Sequence, residues 1–124
     1  MSLEENKALV RRYYEEVLTG RDRGLLGQLL DPAFVSHVSG GADVGIDEYA
    51  AAVDLTHATF ADLKVTVEDQ VAEQDRVATR WTASGTHTGR FAGVRATGRQ
   101  VTVTGIHFHR VVAGRLNRAC LRPA

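Results

Sequence analysis

The feature that most constrains the fold is a long strand near the end of the chain. Residues Gln100 to Val112 read QVTVTGIHFHRVV, rich in β-branched residues and free of proline, which is typical of a β-strand. Side chains alternate between the two faces of a strand. One face therefore carries Val101, Val103, Gly105, His107, His109 and Val111, and the other carries Thr102, Thr104, Ile106, Phe108, Arg110 and Val112. Both faces are largely uncharged as far as Phe108, so we expect both to be covered.

Composition narrows the function classes. The 124 residues suffice for one domain, residues 1–124, with a core of its own. Lys plus Arg and Asp plus Glu are 15 each, so the charge balance favours neither nucleic acid nor an anionic membrane as a partner. One cysteine fits a reducing cytoplasm, and no apolar run is long enough to span a membrane.

The order of elements predicts an α+β fold. Helical periodicity in the first half gives way to alternating strands in the second, so we expect helices on one face of a curved antiparallel sheet. Ala33 to Val38 is extended but too short to distinguish from a loop. The predicted helices are Leu3 to Leu18, Arg23 to Leu30 and Ile46 to Thr59; the other predicted strands are Leu63 to Glu73, Arg76 to His87 and Arg115 to Leu121.

Three stretches resemble a known family: ENKALVRRYYEEVLTG, DPAFVSH and the long segment from DLKVTVEDQ to GIHFHR. Residues 4–117 are similar to the SnoaL-like polyketide cyclases of the nuclear-transport-factor-2-like superfamily. The resemblance implies a cone-shaped antiparallel sheet around a pocket that three helices close. It also implies cofactor-independent ring closure of a polyketide ester by intramolecular aldol condensation, and a homodimer formed through the outer sheet face.

The sequence departs from this family at its C-terminal segment. The family places a catalytic Asp there, whereas this chain reads NRACLRPA, with Ala124 near the expected position. A carboxylate beside an imidazole raises the pKa of that imidazole, and burial without one lowers it. We therefore expect His107 to be mainly neutral at pH 7.

Three residues are candidates for chemistry. His107 is the predicted general base or proton shuttle, because imidazole suits proton removal next to a carbonyl, and Gly105 on the same face is expected to leave room for a ligand. The resemblance implies a pocket position for His37. Of Tyr13 and Tyr14, one is expected to face the pocket, and we favour Tyr14 as a hydrogen-bond donor to a carbonyl or enolate oxygen. The alternatives are a buried core histidine for His107 and a structural loop imidazole for His37.

A second group of residues is expected to bind substrate: Trp81, His109, His57, Val53 and Phe34. Core packing is the simpler alternative for Trp81 and His57. The spacing of His107 and His109 is a possible metal-ligand geometry, but no carboxylate is nearby in sequence and the resembling family uses no metal, so no metal is expected.

Two functions from different classes stay open, with a scaffold role as a third. The first is a cofactor-independent cyclase or isomerase that acts on an apolar carbonyl compound. The second is a non-catalytic binding protein with the same pocket, which the missing Asp favours.

Overall fold

The computed structural model describes residues 2–38, 41–90 and 93–123, in which helices cover one face of a five-stranded sheet. The α+β fold predicted from the sequence is confirmed. The elements are α1 (Leu3–Arg12), a π-helical continuation (Tyr13–Thr19), a 3-10 turn (Arg23–Leu25), α2 (Leu26–Leu29), β1 (Leu30–Val38), α3 (Ile46–Thr59), β2 (Lys64–Glu73), β3 (Arg76–Thr86), β4 (Gln100–Val112) and β5 (Arg115–Pro123).

The first helix begins as the sequence predicts and then changes type. The Ser2 hydroxyl accepts from the Glu5 N–H at 3.0 Å, and the Glu5 carboxylate accepts from the Ser2 N–H at 3.1 Å, which completes a capping box. The helix is α only to Arg12, and its π-helical part ends where the Gly20 N–H donates to the Glu15 carbonyl. A Cβ at residue 20 would lie 2.7 Å from the Glu16 carbonyl oxygen, so this end requires glycine.

The sheet is mixed, in the order β1-β5-β4-β3-β2. The four strands β2 to β5 form the predicted antiparallel meander, but β1 pairs with β5 in parallel. The short segment 33–38 therefore lies within a strand. A hairpin turn forces antiparallel pairing on the strands it joins, whereas β1 and β5 are separated by most of the chain and are free of that constraint.

The two faces of β4 have different surroundings. The face that carries His107 and His109 turns toward the helices, and His109 is only 2% exposed. The opposite face carries Phe108, which is 48% exposed in the single chain, so the expected cover on that side is not supplied by the described residues.

Within the described residues, no helix is both long and apolar enough to cross a lipid bilayer. The cytoplasmic location expected from the sequence stays a prediction.

Candidate active site

A cavity of about 530 Å³ lies between the helices and the concave face of the sheet. Its wall is mainly apolar, as is usual for small-molecule sites. The residues that line it are Tyr13, Tyr14, Leu18, Ser36, Val44, Glu48, Tyr49, Ala52, Val53, Thr56, Phe60, Leu63, Val65, Trp81, Ala83, Val103, His107 and Leu121.

His107 is the imidazole on this wall, and its Nδ1 atom accepts two hydrogen bonds. The Trp81 indole N–H donates to Nδ1 at 2.7 Å, and the Tyr14 hydroxyl lies 3.0 Å from the same atom. An indole N–H can only donate, so Nδ1 carries no proton and Tyr14 must also donate to it. The neutral ring therefore carries its proton on Nε2, which has no hydrogen-bond partner among the described residues.

Burial keeps His107 in that neutral form. It lowers the pKa of the imidazole to about 4, and no carboxylate of the described residues counteracts this effect. The cross-strand neighbours of His107 are Thr79 on β3 and Leu121 on β5, neither of which is acidic. The pKa of His107 is thus lowered, which is the direction expected from the sequence for a neutral imidazole at pH 7. Ala124, where the family's Asp is expected, lies outside the described residues.

Gly105 does not leave room for a ligand, contrary to the expectation from the sequence. A Cβ at this position would lie 2.5 Å from Cζ2 of Trp81 and 3.0 Å from two more atoms of the indole ring. The indole therefore occupies the space that the glycine provides. Its ring stacks on His107 with a centroid distance of 5.5 Å, which places the indole N–H at Nδ1.

Gly105→Ala is accordingly expected to displace Trp81 and weaken its hydrogen bond to His107. Overpacking of this kind costs about 1–3 kcal/mol of unfolding free energy. Trp81 is the single tryptophan, so its fluorescence reports both the displacement and the urea unfolding curve. Gly27→Ala is the control, because nothing lies within 4 Å of a Cβ there. A Gly105→Ala protein with unchanged emission and stability would contradict this account.

Both Tyr13 and Tyr14 line the cavity, so the expectation that only one of them faces it is wrong. The two residues begin the π-helical segment, and their rings meet edge to face at 5.1 Å. Burial raises the pKa of Tyr13 to about 12 and that of Tyr14 further, so both phenols stay protonated at neutral pH.

Of the five residues expected to bind substrate, Trp81 and Val53 line the cavity and the others lie behind it. Phe34 packs edge to face on Tyr49 at 4.9 Å. The His57 imidazole donates from Nε2 to the Leu18 carbonyl at 2.9 Å, which ties α3 to the first helix. These two side chains support the wall without forming its surface.

His109 is also buried behind the wall. Its ring packs beside both Tyr13 and Tyr14, with centroid distances of 6.0 and 6.1 Å, and its Nδ1 atom has no hydrogen-bond partner among the described residues. Burial, with a smaller contribution from His107, lowers its pKa well below the ordinary value. In the described part of the chain, no group of three or more His, Cys, Asp or Glu residues is placed to hold a metal ion.

His37 lies away from the cavity. Along β1, Ser36 lines the cavity and His37 takes the opposite face, where its Nδ1 is 2.6 Å from Oδ1 of Asp43. The sequence suggested a pocket position through the family resemblance, but the alternation of side chains in a strand puts this imidazole outside. Its position therefore does not support a role in catalysis.

Glu48 and Tyr49 line the cavity but are not among the site residues predicted from the sequence. Both belong to α3, and Tyr49 and Val53 follow each other at helical spacing on one side of this helix. Because Val53 was a predicted site residue, the helical spacing could have predicted Tyr49 as a second one on the same side of α3. Glu48 is the only carboxylate among the described residues of the wall, and its position in the first turn of α3 was equally compatible with a purely helix-stabilising role.

Comparisons with known proteins agree with this geometry. A family model described as SnoaL-like polyketide cyclase matches residues 8–119. AclR of Streptomyces galilaeus, whose proposed activity is hydroxylation, is 27% identical with a TM-score of 0.91, and the match covers 99% of this chain and 77% of that one. IdmH of Streptomyces antibioticus, whose proposed activity is polyketide cyclisation, is 30% identical with a TM-score of 0.82, covering 94% and 90%. No curated protein matches.

Proposed function

Since the chain belongs to the SnoaL-like polyketide cyclase family, we propose that it binds an apolar carbonyl compound in the cavity and promotes intramolecular aldol ring closure. The observation that carries the proposal is the neutral His107, whose Nδ1 is occupied by Trp81 and whose Nε2–H is left for a ligand. A mainly apolar wall with a few polar side chains suits this class of ligand.

In this proposal His107 is a hydrogen-bond donor to the substrate. A carbonyl oxygen accepts from Nε2–H, and the bond strengthens as negative charge develops on that oxygen in the enolate. A neutral imidazole can act in this way at neutral pH. The role of general base is not retained, because the lone pair of Nδ1 is already used. Tyr14 and Trp81 are positioning residues that hold the ring in this tautomer.

We assign proton transfer to Glu48, the carboxylate on the described wall. Its carboxylate accepts the proton from the carbon next to the carbonyl, and the resulting enolate carbon forms a bond to a second carbonyl carbon of the same molecule. The oxygen of that second carbonyl takes the proton back from Glu48. These reaction steps balance in protons and electrons without a cofactor.

The first step is tested by hydrogen–deuterium exchange of β-tetralone, an apolar ketone with acidic hydrogens next to its carbonyl, followed by NMR in deuterated buffer. The protein is expected to accelerate exchange above the buffer rate, and Glu48→Gln to slow it by about tenfold or more. Asp47→Asn, one residue away in the same helical turn, is the matched control and is expected to leave the rate unchanged. Equal rates in Glu48→Gln and Asp47→Asn would remove Glu48 from the proposal.

A second candidate function is binding without catalysis. It is favoured by the lowered pKa of His107 and by the absence of a carboxylate beside it among the described residues. In that case β-tetralone stabilises the protein in a thermal-shift experiment and shifts the NMR resonances of the residues that line the cavity. Its hydrogen–deuterium exchange nevertheless stays at the rate measured in buffer alone.

We also propose a homodimer that forms through the outer face of the sheet. A row of paired residues on this face is apolar: Val71, Ala78, Phe108 and Cys120. The charged residues of this face lie to either side of the row: Asp69 and Glu73 on β2 are each paired with an arginine of β3, and Arg110 and Arg118 lie on β4 and β5. A second copy related by a two-fold axis through the apolar row would bury the row of each copy against that of the other.

The expected result is a dimer at tens of micromolar in sedimentation velocity, and Phe108→Glu is expected to convert it to a monomer by placing like charges at the centre of the contact. Val94→Glu is the control, since Val94 is also exposed, at 55%, but lies in the connection between β3 and β4. A wild-type monomer at this concentration would contradict the proposal.

A further inference from the structure

Two tyrosine hydroxyls meet at the cavity wall, apart from the hydrogen bonds of His107. The hydroxyls of Tyr13, from the π-helical segment, and Tyr49, from α3, are hydrogen-bonded to each other. Both residues line the cavity, and Tyr13 is 4% exposed. The Tyr49 ring is held by Phe34 and the Tyr13 ring by Tyr14, so the position of the pair is set by packing.

The proton count of this pair leaves one donor unused. Burial raises the pKa of both phenols, so each carries its proton at neutral pH. Each hydroxyl has one proton, and the bond between the two consumes one of them, whichever hydroxyl donates. Neither hydroxyl has another hydrogen-bond partner among the described residues. The pair therefore presents one spare O–H in a mainly apolar cavity, where an unsatisfied donor costs free energy.

We propose that the Tyr13–Tyr49 pair is a second oxygen-binding point for the ligand, separate from His107. The inference rests on the proposed function in one respect, namely that the cavity takes an apolar carbonyl compound. It adds that the preferred ligand carries a second oxygen acceptor on the same apolar frame. The carbonyl oxygen binds His107 Nε2–H, and the second oxygen binds the spare hydroxyl.

Loss of one tyrosine hydroxyl is not expected to remove the spare donor, whereas loss of both is. Tyr13→Phe leaves the Tyr49 O–H without its acceptor and thus free for the ligand, and Tyr49→Phe does the same for Tyr13. Either single variant keeps one spare donor, whereas the double variant keeps none. A non-additive response is the signature that distinguishes this role from simple packing.

The experiment measures dissociation constants for β-tetralones that carry a hydroxyl at each free position of the aromatic ring, with the methyl-substituted compounds as size controls. At the position that reaches the pair, the hydroxyl compound is expected to bind about tenfold tighter than its methyl counterpart. Each single variant is expected to keep this preference within about threefold, and the Tyr13→Phe/Tyr49→Phe variant to abolish it. Binding of unsubstituted β-tetralone by the double variant shows that the cavity is intact.

Equal affinities for hydroxyl and methyl compounds at every position would overturn the inference, while binding of unsubstituted β-tetralone would leave the proposed function standing. Single variants that each lose as much as the double variant would also overturn it. Failure of every tetralone to bind the wild-type protein would overturn both.

Discussion

Replacing His107 by leucine is expected to slow the exchange of β-tetralone by about 10²–10³-fold, whereas glutamine is expected to keep the rate within about tenfold of wild type. Glutamine retains an oxygen that accepts from the Trp81 indole and an N–H that donates to the substrate. Leucine retains neither. The comparison therefore separates a donor from a base, because glutamine cannot accept a proton near neutral pH.

The measurement is the NMR exchange assay on both variants, with the corresponding variants of His37 as controls. His37 is a histidine on the opposite face of β1, outside the cavity lining, so its substitution by leucine or glutamine is expected to leave exchange unchanged. If glutamine at residue 107 were as damaging as leucine, His107 would be the base and the assigned tautomer would be wrong.

The second large effect is a loss of stability in mild acid. Burial holds the pKa of folded His107 at about 4, below the value of about 6.5 for an unfolded chain. The unfolded state therefore binds the proton more readily, so stability is complete above about pH 6.5 and falls as the pH drops toward 4. From pH 7.5 to 4.5 the free energy of unfolding is expected to fall by about 2–3 kcal/mol. His109, also with a lowered pKa, acts in the same direction.

Urea unfolding followed by Trp81 fluorescence measures this loss, and His107→Gln is expected to make the pH dependence shallower. The pKa values of Glu5, Asp62 and Asp75 are lowered by hydrogen bonds, so these carboxylates titrate mostly below the chosen window. An NMR titration of His107 gives its pKa directly. A value at or above 6.5, or identical slopes in wild type and His107→Gln, would contradict the burial argument.

The sequence predicted those parts of the fold that depend on local periodicity. The alternation along Gln100–Val112 placed His107 on the concave face, and the helical spacing in α3 predicted its limits at Ile46 and Thr59. The capping box that begins the first helix is equally local, since Ser2 and Glu5 are three residues apart. Each of these features is decided by residues close together in the chain.

His37 does not take the pocket position that the family resemblance implies. The resemblance matched a histidine in the segment DPAFVSH, but the face that a strand residue takes depends on the register of its pairing, and β1 pairs in parallel with β5, far along the chain. A shift of one residue moves every side chain of a strand to the other face. Local sequence around residue 37 carries no information on that register.

The sequence by itself determined the fold class, the strand and face that carry His107, and the presence of Ala124 near the position where the family places its Asp. Only the tertiary structure decided what His107 can do. The Trp81 N–H, brought to Nδ1 by pairing of β3 with β4 and by the space at Gly105, sets the tautomer, and burial sets the charge. Tautomer and charge depend on atoms that meet across strands and helices, and those contacts exist only after the chain has folded.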